Sequence, residues 1–119
     1  MPVNRGDVVI IPVPFTSGAP GKPRPALVVS SDHNNRRLQD VIVAVITSTT
    51  RRAKLEATQL FIDVSTAQGQ QAGLLHDSAV KCERLHTILH SQVHRTIGSL
   101  SAALMQSIDA CLKAALALP

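Results

Sequence analysis

Tryptophan and tyrosine are missing from this chain of 119 residues, and Phe15 and Phe61 are its two aromatic residues. That leaves little for a nucleic-acid site built on stacking, so bases held here would rest on arginine planes and hydrogen bonds. Cysteine is just as scarce: Cys82 and Cys111 lie far apart and form no Cys-x-x-Cys pair. Nothing indicates a disulfide framework, and a reducing cytoplasm is the expected compartment. No apolar run approaches the roughly 18 consecutive residues of a membrane span. The opening, Met1-Pro2-Val3-Asn4-Arg5-Gly6-Asp7, lacks the charged-then-apolar order of a secretory signal. A Gly-x-Ser-x-Gly elbow and a glycine-rich loop ahead of a helix are both missing, which removes two common hydrolase and nucleotide-binding signatures.

What is present predicts one globular domain over residues 1–119, with 45% apolar residues, enough for a single modest core. A net charge of +4 and an isoelectric point near 9.7 lean toward an anionic partner. Basic residues gather in Arg36-Arg37 and in Arg51-Arg52-Ala53-Lys54, each in a polar stretch that reads as loop. A solvated surface is an equal reading of such clusters.

Patterning predicts mostly strands. Asp7 to Phe15 is rich in Val, Ile and Pro, and the alternation of Pro12 and Pro14 suits an edge or an irregular end. A loop over Thr16 to Pro23 leads to a second strand from Pro25 to Ser30, and Asp32 to Leu38 suits one helical turn capped by Asp32. Asp40 to Thr47 is a β-branched strand apolar on both faces, and Thr58 to Val64 resumes the alternation after a basic loop. Gly69 to Gly73 turns the chain into a long strand, Ser78 to Leu89, whose apolar phase slips by one between Cys82 and Leu85 and so predicts a bulge. The C-terminus is helical: Ser101 suits an N-cap, Leu104, Ile108, Leu112 and Leu116 recur every four residues, and Asp109 and Lys113 are spaced to pair on the outer side. The sum is five or six short antiparallel strands in a small curled barrel with one packed helix at its end.

Within that frame Lys22-Pro23-Arg24-Pro25 stands out. Pro23 fixes its own φ, and Pro25 drives Arg24 out of the helical region into extended backbone. A stiffened guanidinium at the mouth of a strand suits phosphate, which arginine grips with two parallel hydrogen bonds. Pro-Arg-Pro is also ordinary loop-to-strand punctuation. Metal chemistry is a weaker alternative. His86, His90 and His94 are spaced for one helix face, yet the segment reads as strand and no Asp, Glu or Cys completes a ligand set beside them.

Over nearly its whole length the chain resembles the MazF/PemK family of toxin endoribonucleases. The resemblance rests on Arg5-Gly6-Asp7-Val8, Arg24-Pro25-Ala26-Leu27-Val28-Val29, Asn35-Arg36 and Val43-Ala44-Val45-Ile46-Thr47-Ser48, then on the run from Asp77 to Ile88, and last on Ile97-Gly98-Ser99-Leu100-Ser101 ahead of a helix with Met105 and Ile108-Asp109. It implies an SH3-like or CcdB-like antiparallel barrel, mainly β with a C-terminal helix. It also implies a type II toxin that cleaves single-stranded RNA without a metal or other cofactor, leaving 2′,3′-cyclic phosphate and 5′-hydroxyl ends. Arg24 would stabilise the charge of the transition state and Thr47 would bond a non-bridging oxygen or orient the attacking hydroxyl. Glu83 is a candidate base and Lys81 a second source of positive charge. Lys22, Ser48, Arg51, Arg52, Lys54 and Arg84 are the expected RNA contacts. The family also implies a homodimer and an acidic, partly disordered antitoxin as partner.

The chain departs from the family at several points. Its first loop is shortened to Ala19-Pro20-Gly21-Lys22, without the acid–base group often carried there; Val9 and Ile10 stand where an aromatic is common. Glu83 stands where many members have Asp or Gln, and Lys81 or His86 where many have Arg. The alternatives are a non-enzymatic, CcdB-like gyrase-binding toxin and an inactive regulatory member.

Overall fold

The computed structural model describes residues 3–13 and 21–119. Strand β1 (Asp7–Val13) leads to β2 (Lys22–Val28), helix α1 (Asp32–Arg37), β3 (Asp40–Thr47), β4 (Gln59–Ile62), short helix α2 (Ala67–Gln71) and β5 (Ser78–Leu89). A 3-10 turn (His90–Gln92), β6 (Arg95–Ser99) and helix α3 (Ala102–Leu116) complete the chain. The strands form one antiparallel sheet in the order β4-β5-β3-β2-β1-β6, a curled half-barrel with β4 and β6 at its edges.

β2 begins three residues earlier than the sequence predicts and stops short of Ser30. Its prolines are tolerated because the strand pairs with β1 along its length but with β3 only from Ala26 to Val28. Pro23 and Pro25 lie in the half that β3 leaves unpaired, where a missing N–H breaks no ladder on that side. Pro14, Phe15 and the predicted loop over 16–20 lie outside the described residues.

The predicted bulge is present and large. Ala44 faces Leu85 while Val45 faces Lys81, so Cys82, Glu83 and Arg84 have no partner on β3. The Cys82 N–H instead donates to the Thr58 carbonyl at 2.9 Å, tying the bulge to the entry of β4.

The two sheet faces carry separate apolar clusters because β1, β2 and β3 are apolar on both sides. Val8, Leu27, Ala44, Val80 and Cys82 pack with Ile108 and Cys111 of α3. Val9, Ile11, Ala26, Val28, Val41 and Val43 form the second cluster. Alternation along a strand assigns Val8 and Val9, or Leu27 and Val28, to opposite faces.

Several local expectations are corrected. The N-cap of α1 is Ser31, whose Oγ accepts the Asn34 N–H; Asp32 is already helical, and its carboxylate accepts the Arg5 N–H at 2.6 Å. Asp109 pairs with Arg5 at 2.6 Å rather than with Lys113, because the N-terminal segment comes alongside α3. β4 is shorter than Thr58 to Val64, and the stretch before Gly73 holds α2, capped by Thr66, rather than a bare turn. Patterning does not reveal β6: Arg95 and Thr96 are exposed and Ile97 to Ser99 half-buried, without the alternation that marks a strand. Ser101 caps α3 as predicted, its Oγ accepting the Leu104 N–H at 3.2 Å. No helix among the described residues is long and apolar enough to cross a membrane.

Candidate active site

One end of the sheet, where β1 and β3 finish and β2, β5 and β6 begin, holds an open cleft of about 880 Å³. Arg24 of β2, Thr47 and Ser48 at the end of β3, Lys81 and Arg84 of β5, and Arg95 of β6 line it. Strand register explains the meeting. Ala26 pairs with Val45, and continuing that ladder by two residues sets the Arg24 position beside Thr47. Lys81 lies directly across from Val45, and Arg95 is in line with Pro25 through their shared partner Ile10. The bulge admits Arg84 to the same cleft as Lys81.

The cleft is strongly cationic. Arg24, Lys81, Arg84 and Arg95 enter no ion pair among the described residues, and no carboxylate lines it. The Arg24 side chain is exposed, with only a long contact of 3.4 Å from Nη1 to the Pro23 carbonyl. The Thr47 Oγ1 accepts the Thr49 N–H at 3.1 Å, which anchors the oxygen and leaves its own proton free to be donated.

Glu83 lies elsewhere. On the bulge it points to β4, where its two carboxylate oxygens accept from the Thr58 hydroxyl at 3.0 Å and the Gln59 amide at 2.9 Å. Desolvation pushes its pKa up. Bonds from its own backbone, Gln59 and Thr58, with the charge of Lys81, outweigh that and hold the carboxyl below its ordinary value. The structure likewise does not bring Lys22, Arg51, Arg52 or Lys54 to the cleft wall. Arg52 pairs with Glu56 at 3.5 Å, and the Lys54 ammonium sits 4.7 Å from the centre of the Phe61 ring. His86, His90 and His94 belong to no cluster of three or more His, Cys, Asp or Glu side chains among the described residues.

Sequence reasoning missed His76, Ser78 and Arg95, with Leu74, Leu75 and Ile97 of the apolar wall. Arg95 sits in a segment without periodicity, and only the pairing of β6 with β1 brings it to the cleft. His76 comes from the segment between α2 and β5, which lies against β6. Gly73 has a left-handed φ of 77° there, and a Cβ on it would fall 2.0 Å from the Ile97 carbonyl oxygen.

The curled six-stranded half-barrel with a C-terminal helix, and the cationic cleft at the sheet end, define the fold class of the small toxins to which the chain is similar. The chain belongs to the PemK-like, MazF-like toxin family of type II toxin-antitoxin systems, whose model matches residues 4–116. It is similar to the endoribonuclease EndoA of Bacillus subtilis (strain 168), 34% identical over 119 residues that cover 99% of this chain and 97% of that protein. It is also similar to endoribonuclease MazF6 of Mycobacterium tuberculosis, 32% identical over 115 residues, 95% of this chain and 96% of that one. Among solved structures, the Mycobacterium tuberculosis toxin MazF-mt6 superposes with a TM-score of 0.72 at 27% identity, over 93% and 98% of the two chains. The fold is shared with a mycobacterial endoribonuclease solved in complex with its cognate antitoxin, with a TM-score of 0.79 at 23% identity over 98% and 97% of the chains.

Proposed function

We propose that this chain is the toxin of a type II toxin–antitoxin pair and acts in the cytoplasm as an endoribonuclease on single-stranded messenger RNA. The observation that carries the reading is the meeting of Arg24 and Thr47 with Lys81, Arg84 and Arg95 on one cleft without a carboxylate. RNA supplies its own nucleophile. The 2′-hydroxyl attacks the adjacent phosphorus, the bond to the 5′-oxygen breaks, and the products are a 2′,3′-cyclic phosphate and a 5′-hydroxyl.

Negative charge collects on the non-bridging oxygens as the pentavalent phosphorus forms. The Arg24 guanidinium, set on extended backbone, presents parallel donors to that charge, and pre-positioned donors of this kind lower the barrier because they need no reorganisation. The anchored Thr47 hydroxyl donates to one of the same oxygens. Lys81 adds a point charge, and Arg84, Arg95 and Ser48 hold the flanking phosphates. Arg51, Arg52, Lys54 and Lys22, outside the cleft wall, extend the positive surface along the strand of RNA.

The partner surfaces follow the same chemistry. An acidic, partly disordered antitoxin suits the cationic cleft, where it would compete with RNA. A homodimer has a suitable apolar face at the opposite sheet end. Asp40 pairs with Leu89 and Ile42 with Thr87, so Ile42 and Leu89 share one face, and with Leu38 they are 40–46% exposed; Leu38 and Leu89 also line a second hollow of about 500 Å³.

Incubating the purified protein with end-labelled RNA in excess EDTA, then analysing the new termini, tests the reading. Cyclic-phosphate ends are expected. An uncut substrate together with inhibition of DNA gyrase would replace it with the gyrase-binding alternative.

A further inference from the structure

Cleavage by a 2′-hydroxyl needs a group to take its proton, and among the described residues no carboxylate lines the cleft to do so. Glu83, next in sequence to the cleft residue Arg84, has both carboxylate oxygens engaged, by Thr58 at the entry of β4 and by Gln59 on it. Arginine does not give up its proton in proteins, and lysine is charged at neutral pH. The side chain in the cleft that can both accept and release a proton near neutrality is an imidazole, that of His76.

The segment carrying His76 is held at several points. The Ser78 hydroxyl donates to the His76 carbonyl at 2.8 Å, which fixes the backbone on one side of the ring. The Asp77 carboxylate accepts the Val64 N–H at 3.0 Å and is thereby turned away to the β4 exit. Upstream, Gly73 rests on the Ile97 carbonyl of β6. The His76 ring itself is exposed, and no hydrogen bond engages either of its nitrogens among the described residues. The charged groups that share the cleft with it are Arg24 from β2, Lys81 and Arg84 from β5, and Arg95 from β6.

We infer that His76 is the general base of the cleavage, an inference that rests on the endoribonuclease reading above. Neutral imidazole takes the proton of the 2′-hydroxyl as that oxygen bonds to phosphorus. The bond from phosphorus to the 5′-oxygen breaks, and the departing oxygen takes a proton from water. The imidazolium returns its proton to the hydroxide left behind, so the enzyme ends unchanged and no co-reactant is consumed. In this chain the group comes from the α2–β5 segment rather than from the shortened first loop or from the bulge.

Single-turnover cleavage of a labelled RNA from about pH 5 to about pH 9 separates the possibilities. In the wild type the rate should rise with pH along an acid limb and then level off, as expected of a reaction that needs a deprotonated base. His76→Gln should lower the plateau by roughly 10²–10⁴ and abolish that limb, the usual scale for loss of a general base. Imidazole added to His76→Ala should restore part of the rate, a rescue that a merely structural role would not show. Glu83→Gln should keep the limb. Because the His76 side chain is exposed, circular dichroism of the variant should match the wild type. A folded His76→Gln that keeps the rate or the limb overturns the assignment, as does loss of the limb in Glu83→Gln. In both cases an active wild type leaves the endoribonuclease reading standing, whereas a wild type inert toward RNA overturns the two together.

Discussion

Arg24 owes its place to two prolines and a register. The prolines hold its backbone extended, β1 pairs with it through Ile11, and the β2–β3 ladder points its position toward Thr47. Arg24→Ala should fold like the wild type and lose roughly 10²–10³-fold in cleavage rate, measured under single turnover. Arg24→Lys should recover little of that, because an ammonium cannot reproduce the paired donors of a guanidinium. Cys82 and Cys111 illustrate the opposite role. Burial pushes the Cys82 thiol up to about 12, with further pressure from Cys111 and Glu83, and burial likewise raises Cys111. The reactive thiolate is therefore scarce in the native protein. Alkylation followed by mass spectrometry should label neither cysteine at mildly alkaline pH until denaturant is added; labelling of the native fold would contradict the packing of α3 on β5.

At the scale of elements, the link between β2, α1 and β3 depends on a small buried polar network. The Ser30 hydroxyl donates to the Asn35 side-chain oxygen, the Asn35 amide donates to the Ser30 carbonyl at 3.1 Å, and the Ser30 oxygen accepts the Ile42 N–H at 3.1 Å. Asn35 is buried, so Asn35→Ala leaves the Ser30 hydroxyl proton without an acceptor and the Ser30 carbonyl without a donor. It should cost about 1–3 kcal/mol in denaturant unfolding, more than truncation of its exposed neighbour Arg36. The Asn35-Arg36 pair is visible in the sequence as part of a family pattern, but the reason for the asparagine is not. It bonds Ser30, five residues back in the link after β2, and the Ser30 hydroxyl in turn takes the Ile42 N–H of β3, and no local period records that. The bulge behaves differently. Its existence is legible in the phase slip between Cys82 and Leu85, while its consequence, Arg84 toward the cleft and Glu83 toward β4, depends on which strand lies on each side.

Over the whole molecule, charge governs both binding and acid stability. If Arg51, Arg52 and Lys54 follow the RNA backbone beyond the cleft, neutralising them should reduce the salt slope of RNA binding by about 0.7 for each phosphate that no longer meets a cation. An unchanged slope, read by fluorescence anisotropy across salt concentrations, returns them to plain surface. Glu83 carries an acid-side contribution. Its carboxyl is held below its ordinary value of 4.5 in the fold, so the unfolded chain binds the proton more readily. The stabilisation is complete above that ordinary value and disappears as pH falls through the lower, folded one. Glu83→Gln should therefore flatten the acid limb of a melting-temperature profile below 4.5 and leave the slope near neutrality unchanged.

The chain by itself determined its β-rich architecture, the bulge, the capped C-terminal helix and the special backbone of Arg24. These are written in near-neighbour properties: alternation, the four-residue apolar repeat, and the stereochemistry of proline. Tertiary structure alone decided which of its many cations share a cleft, that Arg95 and His76 join Arg24 and Thr47 there, and that Glu83 and Asp109 take partners far along the chain. The physical reason is sheet order. In β4-β5-β3-β2-β1-β6, the last strand lies beside the first and β5 beside β3, so residues separated by dozens of positions meet at one end of the sheet.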